Sequence, residues 1–292
     1  MHSESLNFRR IAIVGLGLVG GSWALALKRR RIRAERVGCD RPSVLKRALA
    51  RGAIDRGAMS LAAAVRDADL VILATPVGTI LRQLAELKAW VSPQALVTDV
   101  GSTKRRICER ARAALRTGPL FLGGHPLAGR ECSGFEHAEA SLFDGATYVL
   151  SPLEPSDLRD PRVKAFQRLI RGIGARPYIA DPAAHDRAVA FLSHLPQLVS
   201  TGLASLAVEK SASGGLPLEL AASGFRDMTR LAGSPYSLWR DICRTNIRNI
   251  EVALDGLISE LKAMRRHLTA GRLEREFQQA LKLRQRLSEL GR

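Results

Sequence analysis

The run IAIVGLGLVGGSWALALKR at residues 11–29 constrains the fold of this chain more than any other stretch. Four apolar residues, Ile11 to Val14, read as a buried strand, and an apolar helical pattern follows. Between them Gly15, Gly17 and Gly20 stand in GxGxxG spacing. A strand, a tight glycine turn and a helix N-terminus together make a dinucleotide site, because unpaired helix N–H groups and the positive end of the helix dipole face the pyrophosphate. Gly15 permits the turn, Gly17 lets the backbone approach the phosphates, and Gly20 lets the helix pack closely on the strand. Leu18 and Val19, which open the helix between the glycines, are counted with the cofactor residues. Asp40 closes the next apolar run twenty residues beyond Gly20, the place of an acid that binds the adenosine ribose hydroxyls. A carboxylate there repels a 2′-phosphate, so NAD is the expected cofactor. Arg41 beside it is a complication, since its guanidinium could take such a phosphate if Asp40 turned away.

Short runs of Val, Ile and Leu alternate with helical patterns from Ile11 to about Ile179, as expected of a doubly wound parallel sheet of Rossmann type. The expected strands are Ile11–Val14, Arg36–Cys39, Leu70–Ala74, Leu96–Asp99, Leu120–Gly123, Thr147–Leu150 and Arg176–Ile179. Thr75 and Pro76 end the third of these, where a switch-point loop would cover the nicotinamide half of the cofactor; Pro76 also suits a helix start, where a missing N–H is harmless. Beyond Asp181 long helical patterns take over, at 183–210, 234–267 and 273–290. The chain therefore divides into a NAD-binding domain, 1–180, and a mostly α-helical domain, 181–292. Leu273, Phe277 and Leu281, at four-residue steps, fit either packing on that domain or a homodimer contact.

A net charge of +17 raises nucleic-acid binding as a rival. The basic clusters at Lys28–Arg31, Lys104–Arg106 and Arg265–Arg266 are small and spread out, with few aromatics for stacking on bases, so no nucleic-acid partner is expected. The four cysteines form no CxxC pair, which argues against structural zinc and a disulfide framework and for a reducing, cytoplasmic setting. No membrane partner is expected either, since no run reaches the roughly 18 uninterrupted apolar residues of a span.

Three further segments carry chemistry: TDVGSTK at 98–104, GGHPLAGRECSG at 123–134, and SHLPQLVS at 193–200 together with GFRDMTRLAGSPYSLWRDI at 224–242. With these the chain resembles the prephenate and arogenate dehydrogenases, in order and spacing, from Ile11 to about Ile242. The resemblance implies oxidation of a cyclohexadienyl acid followed by loss of its ring carboxylate as carbon dioxide, on the route to tyrosine. His125, just past an expected strand end, is the expected base for the C4 hydroxyl, since an imidazole titrates near neutrality. Ser102 matches the family's serine that assists it.

Arg230 is carried over as the carboxylate binder, because a guanidinium can grip a carboxylate through two parallel hydrogen bonds. Arg226 and Arg240 are alternatives in the same region. His194 matches the first histidine of the family's SHLPH pattern, whereas Gln197 replaces the second, so any charged contact made there is in doubt. Trp239 either walls the pocket or packs its helix, and Glu131 stands where it could gate the side chain of the substrate. Whether the substrate is prephenate, arogenate or a 4-amino-4-deoxy analogue is open. The rival enzyme class, a two-domain hydroxyacid dehydrogenase with Lys210 as acid or base, would leave the His125 loop without a purpose.

Overall fold

The computed structural model describes residues 8–212 and 214–290. Eight strands form one sheet: β1 (Arg10–Val14), β2 (Glu35–Cys39), β3 (Arg56–Ala58), β4 (Leu70–Leu73), β5 (Leu96–Asp99), β6 (Leu120–Pro126), β7 (Thr147–Pro152) and β8 (Arg176–Ile179). Helices α1 (Leu18–Arg29), α2 (Pro42–Ala50), α3 (Leu61–Val65), α4 (Val77–Leu87), α5 (Arg105–Ala114) and α6 (Pro161–Gly172) lie between them. The strand order β3-β2-β1-β4-β5-β6-β7-β8 puts the reversal of winding between β1 and β4. That is where a doubly wound sheet opens a ligand crevice at the carboxyl ends of its strands.

Alternation along the strands builds two cores. Ile11, Ile13, Leu70, Ile72 and Leu96 face α1, α2 and α6, with Trp23 stacked on Phe166 at 5.9 Å. Ala12, Val14, Val71, Leu73 and Val97 face the opposite layer, from α3, α4 and α5. Both faces are buried, so these strands read as continuous apolar runs.

Three features depart from the sequence expectation. The strand β3, Arg-Gly-Ala, has no apolar run and pairs only with β2. β7 runs antiparallel to β6, the other neighbours being parallel. A parallel return needs a crossover across a sheet face, and residues 127–146 supply only a 3₁₀ turn, Phe135–His137. Finally, β6 continues through Gly123 and Gly124 to Pro126, so His125 lies within a strand, opposite Val149. The Gly-Gly pair reads as a strand end, yet a Cβ at Gly124 would sit 2.4 Å from the Asp99 carbonyl oxygen. Both glycines are there because β6 and its neighbours leave no room for side chains.

After β8 the chain is helical: α7 (Pro182–Val189), a π turn (Ala190–His194), α8 (Leu195–Ala212), α9 (Ser223–Thr229), a 3₁₀ turn (Arg230–Gly233), α10 (Tyr236–Thr269) and α11 (Glu274–Leu290). The stretch Pro182–Ala212 is long and apolar enough to cross a membrane by composition. It carries His185, Asp186, His194 and Gln197, all buried and hydrogen-bonded, on the face turned to the rest of the chain, while Leu192, Leu206 and Val208 are exposed. α10 bends at Asn246, whose φ of −124° leaves the helical region. Internal contacts divide the chain there, into a unit ending at Asn246 and a second from Ile247 to the C-terminus. The second unit is a helical hairpin, turned at Gly271 with φ +64° and tied by His267 Nδ1 to Glu276 Oε1 at 2.7 Å.

The closest approach in the first unit is at Gly20, where a Cβ would lie 1.9 Å from the carbonyl oxygen of Gly15 and 2.9 Å from Ala74 Cβ. Gly20→Ala is expected to destabilise the fold by about 1–3 kcal/mol, the usual cost of overpacking, read as a lower urea midpoint. An unchanged midpoint would contradict the tight turn.

Candidate active site

The cofactor cradle is formed by β1, its turn and α1. Gly15 adopts φ +91° and its N–H donates to the Cys39 carbonyl at 2.8 Å. Gly17 is the N-cap of α1; no side chain caps the helix and no acid lies in its first turn. A Cβ on Gly17 would meet nothing within 4 Å. The cradle thus has open space beside the backbone and uncapped helix N–H groups, which fit a pyrophosphate. Leu18 and Gly20 are buried while Gly17 and Val19 are partly accessible, so Leu18 can serve a ligand through its backbone only.

Asp40 is fixed from two sides. Its Oδ2 accepts from Leu16 N–H and its Oδ1 from Arg41 N–H, both at 2.7 Å. The Arg41 side chain is 84% exposed. Turning Asp40 away to admit a 2′-phosphate would break two charge-assisted hydrogen bonds, each worth about 1.5–3 kcal/mol. Pro76 is the N-cap of α4, and Thr75 donates from Oγ1 to Gln83 Oε1 at 2.8 Å. Asp241 accepts from Gly78 N–H at 2.9 Å, which holds the first turn of α4 to α10.

His125 and its strand are held in place by two buried carboxylates, Asp99 and Asp186, that sequence reasoning passed over. Asp99, fully buried at the end of β5, accepts from Gly124 N–H at 3.0 Å through Oδ1 and from Gly101 N–H at 2.8 Å through Oδ2. The second oxygen also pairs with the ammonium of Lys104, itself fully buried. One carboxylate therefore clamps the turn that carries Ser102 to the strand that carries His125. Lys104, counted with Arg105 and Arg106 as a surface basic cluster, is a core residue: its ammonium neutralises Asp99, and it adds nothing to a basic surface.

Asp186, on α7, accepts from Lys104 N–H at 2.7 Å and Arg105 N–H at 3.0 Å, while its own carbonyl accepts from Asn246 Nδ2 at 2.7 Å. Its Oδ1 lies 2.8 Å from His185 Nδ1, and His185 Nε2 lies 2.9 Å from His125 Nδ1. His125 Nδ1 is thus hydrogen-bonded to His185, and Ser102 sits half-buried on the turn that Asp99 clamps. Burial, first, and then the neighbouring His185, Lys104 and His194 hold the His125 pKa well below the ordinary 6.5, so the ring is neutral at physiological pH. Adjacent His and Asp behind a helix-starting proline, as in DPAAHD, was the available signal for this pair.

His194 is buried in the π turn, edge-on to Trp239 at 5.8 Å, with Nδ1 3.2 Å from Asn246 Nδ2. Desolvation outweighs the nearby Asp186 carboxylate and, with His185, pushes its pKa down to about 4. Gln197 is also buried; its Nε2 donates to the Leu231 carbonyl at 2.8 Å and to Thr201 Oγ1 at 3.2 Å. Ser200 Oγ accepts from Ala232 N–H at 3.0 Å. α8 thus holds the 3₁₀ turn that begins at Arg230, whose exposed guanidinium pairs with Glu131 from the loop after β6. Arg226 donates to the Ala221 carbonyl and Arg240 to Asp241, so each of these alternatives has a local partner.

The family model described as prephenate dehydrogenase, nucleotide-binding domain, matches residues 23–179, and that described as prephenate dehydrogenase, dimerization domain, matches residues 181–283. The chain belongs to the prephenate dehydrogenase family. It is 36% identical over 260 residues to a prephenate dehydrogenase of Bacillus subtilis, covering 88% of this chain and 70% of that protein. A crystal structure of the family's A. aeolicus prephenate dehydrogenase, in complex with hydroxyphenyl propionate and NAD+, superposes with a TM-score of 0.88 at 29% identity, covering 98% of this chain and all of that one. The Synechocystis arogenate dehydrogenase structure aligns with a TM-score of 0.79 at 34% identity over 95% and 99% of the two chains.

Removing one partner of a buried ion pair leaves the other charge uncompensated. Lys104→Met is expected to cost about 3–5 kcal/mol of stability, measured by urea unfolding. The double variant Asp99→Asn, Lys104→Met should recover part of that loss; a single variant as stable as the parent would show the pair to be dispensable.

Proposed function

We propose that the protein is an NAD-dependent prephenate dehydrogenase, an oxidoreductase that converts prephenate to 4-hydroxyphenylpyruvate and carbon dioxide in tyrosine biosynthesis. Membership of the family and the neutral, part-buried His125 near the carboxyl end of β6 support this reading. The cradle residues Gly15, Gly17, Leu18, Val19 and Gly20 would hold the pyrophosphate, Asp40 the adenosine ribose, and Thr75 and Pro76 would border the nicotinamide. NAD+, when bound, supplies the hydride acceptor.

His125 takes the C4 hydroxyl proton as the C4 hydrogen leaves with its electron pair. Ser102, on the turn that Asp99 clamps, assists in holding that hydroxyl. The ring is then a dienone whose carbonyl is the electron sink for loss of the carboxylate, and aromatisation drives the step. Arg230 binds the side-chain carboxylate. Glu131 pairs with its guanidinium, so an incoming acid displaces Glu131, which acts as a gate. Trp239 and His194 wall the pocket, and Gln197 supports the Arg230 turn without carrying charge.

The second reading is arogenate as substrate, favoured by the likeness to the Synechocystis arogenate dehydrogenase. We also place the functional boundary near Ala180, with 1–180 binding NAD and 181–292 binding substrate and forming a homodimer. The family description of that second part and its exposed Ile258, Leu261, Phe277, Leu281 and Leu287 support this. A cytoplasmic setting suits a cysteine set without pairing.

The deciding assay is absorbance at 340 nm with prephenate and arogenate in turn, each with NAD+ and NADP+. Rapid NADH formation with prephenate is expected; signal with arogenate alone favours the second reading, and silence in all four mixtures contradicts both. His125→Asn should lower turnover by about 10²- to 10⁴-fold with NAD+ affinity kept. Because the His125 pKa is depressed, the base stays unprotonated until the pH falls through that lowered value. The acid limb of kcat/KM should therefore lie below the ordinary histidine range, and a limb at or above pH 6.5 would contradict the assignment.

A further inference from the structure

We propose that His185 and Asp186 form a positioning relay that fixes which ring nitrogen of His125 carries the proton, leaving Nε2 free to act as base. The inference rests on the reading of His125 as base and goes beyond it, to the groups that make it one. The geometry allows little choice. An ionised carboxylate only accepts, so the 2.8 Å contact requires the proton of His185 on Nδ1. His185 Nε2 is then an acceptor, and the 2.9 Å contact requires the proton of His125 on Nδ1. What is left on His125 is a lone pair at Nε2.

A free neutral imidazole favours the opposite tautomer, with its proton on Nε2, in which the base would be blocked. The relay reverses that preference, as second-layer carboxylates and carbonyls do for metal-bound histidines. It also serves the charged state. When His125 takes the substrate proton, its Nδ1–H still donates to His185, whose Nδ1–H donates to Asp186, so the new positive charge is connected to a carboxylate through two hydrogen bonds.

Asp186 cannot swing to undo this. Two backbone N–H groups, from Lys104 and Arg105, hold its oxygens, and Asn246 holds its carbonyl. His185 is buried, with 4% exposure, so water does not compete for its ring. The charged and titratable groups facing His125 are His185 from α7, the Lys104 ammonium ahead of α5, and His194 from the π turn. Those facing His185 are His125, Asp186 and His194. Asp186 is the carboxylate hydrogen-bonded into this row.

The test uses full-length protein with ¹⁵N-labelled histidine, His125 being assigned by the signals lost in His125→Asn. In the parent protein, long-range ¹⁵N–¹H correlation should show the neutral ring protonated on Nδ1. His185→Phe, similar in volume but without an acceptor, should move the proton to Nε2 and lower kcat by about 10- to 100-fold, with NAD+ affinity and KM little changed. His185→Gln, whose Oε1 can accept from His125 Nδ1–H, should restore the parent tautomer and much of the turnover. A His125 tautomer unchanged in His185→Phe would overturn the relay. Should the Phe variant fail to fold, judged by lost NAD+ binding, the Gln variant alone decides: Nε2-protonated His125 in it overturns the proposal. Because the tautomer is read without substrate, the two readings fail separately: a shifted tautomer with undiminished turnover upholds the relay and sinks the base assignment.

Discussion

Asp99 is the group on which the candidate site depends, because the turn of Ser102 and the strand of His125 both hang from its carboxylate. Gly101 N–H and Gly124 N–H donate to different oxygens of one side chain, and Lys104 neutralises it. With no exposure to water, that charge is tolerable only while every partner is in place. The consequence is rigidity: the Ser102 turn cannot move without leaving a buried charge unsatisfied, and neither can β6. The glycines beside it follow from the same crowding, since β6 reaches Asp99 only where side chains are missing.

Asp186 repeats the device one layer further out. It takes the two N–H groups at the start of α5 and turns a histidine toward β6. The helical part of the chain thereby reaches into the sheet through α7, and Asn246 joins the bend of α10 to the same carbonyl and to His194. Three histidines share a small volume, and depressed pKa values at His125 and His194 are its electrostatic signature. Such clustering of desolvated titratable groups at the carboxyl end of a sheet strand suits proton abstraction at neutral pH.

Much of this was legible in the sequence. Strands β1 and β4 are continuous apolar runs because both faces are buried, and the loop at Thr75 and Pro76 was read as a switch point before any topology was known. β3 was missed because three residues on one neighbour need no apolar pattern. The direction of β7 was missed because strand direction is set by the preceding connection and not by the strand itself. In the candidate site, His125 and Arg230 were named by motif, whereas Asp99, Lys104, His185 and Asp186 were not. A lysine in TDVGSTK reads as surface charge until its carboxylate partner is seen five residues back across a turn. His185 and Asp186 stand 60 residues from His125, and only the packing of α7 on the sheet brings them together. Gln197 was read as a changed substrate contact, but its amide donates to the turn of Arg230.

The most direct test is a crystal structure of the protein with NAD+ and hydroxyphenyl propionate, a compound bound by the A. aeolicus relative. The account predicts the ring hydroxyl within hydrogen-bond range of His125 Nε2, roughly 2.7–3.2 Å, with His185 still on Nδ1. It also predicts the carboxylate on Arg230, with Glu131 released. A ring hydroxyl facing some other group, or a carboxylate seated elsewhere with the Arg230–Glu131 pair intact, would contradict it.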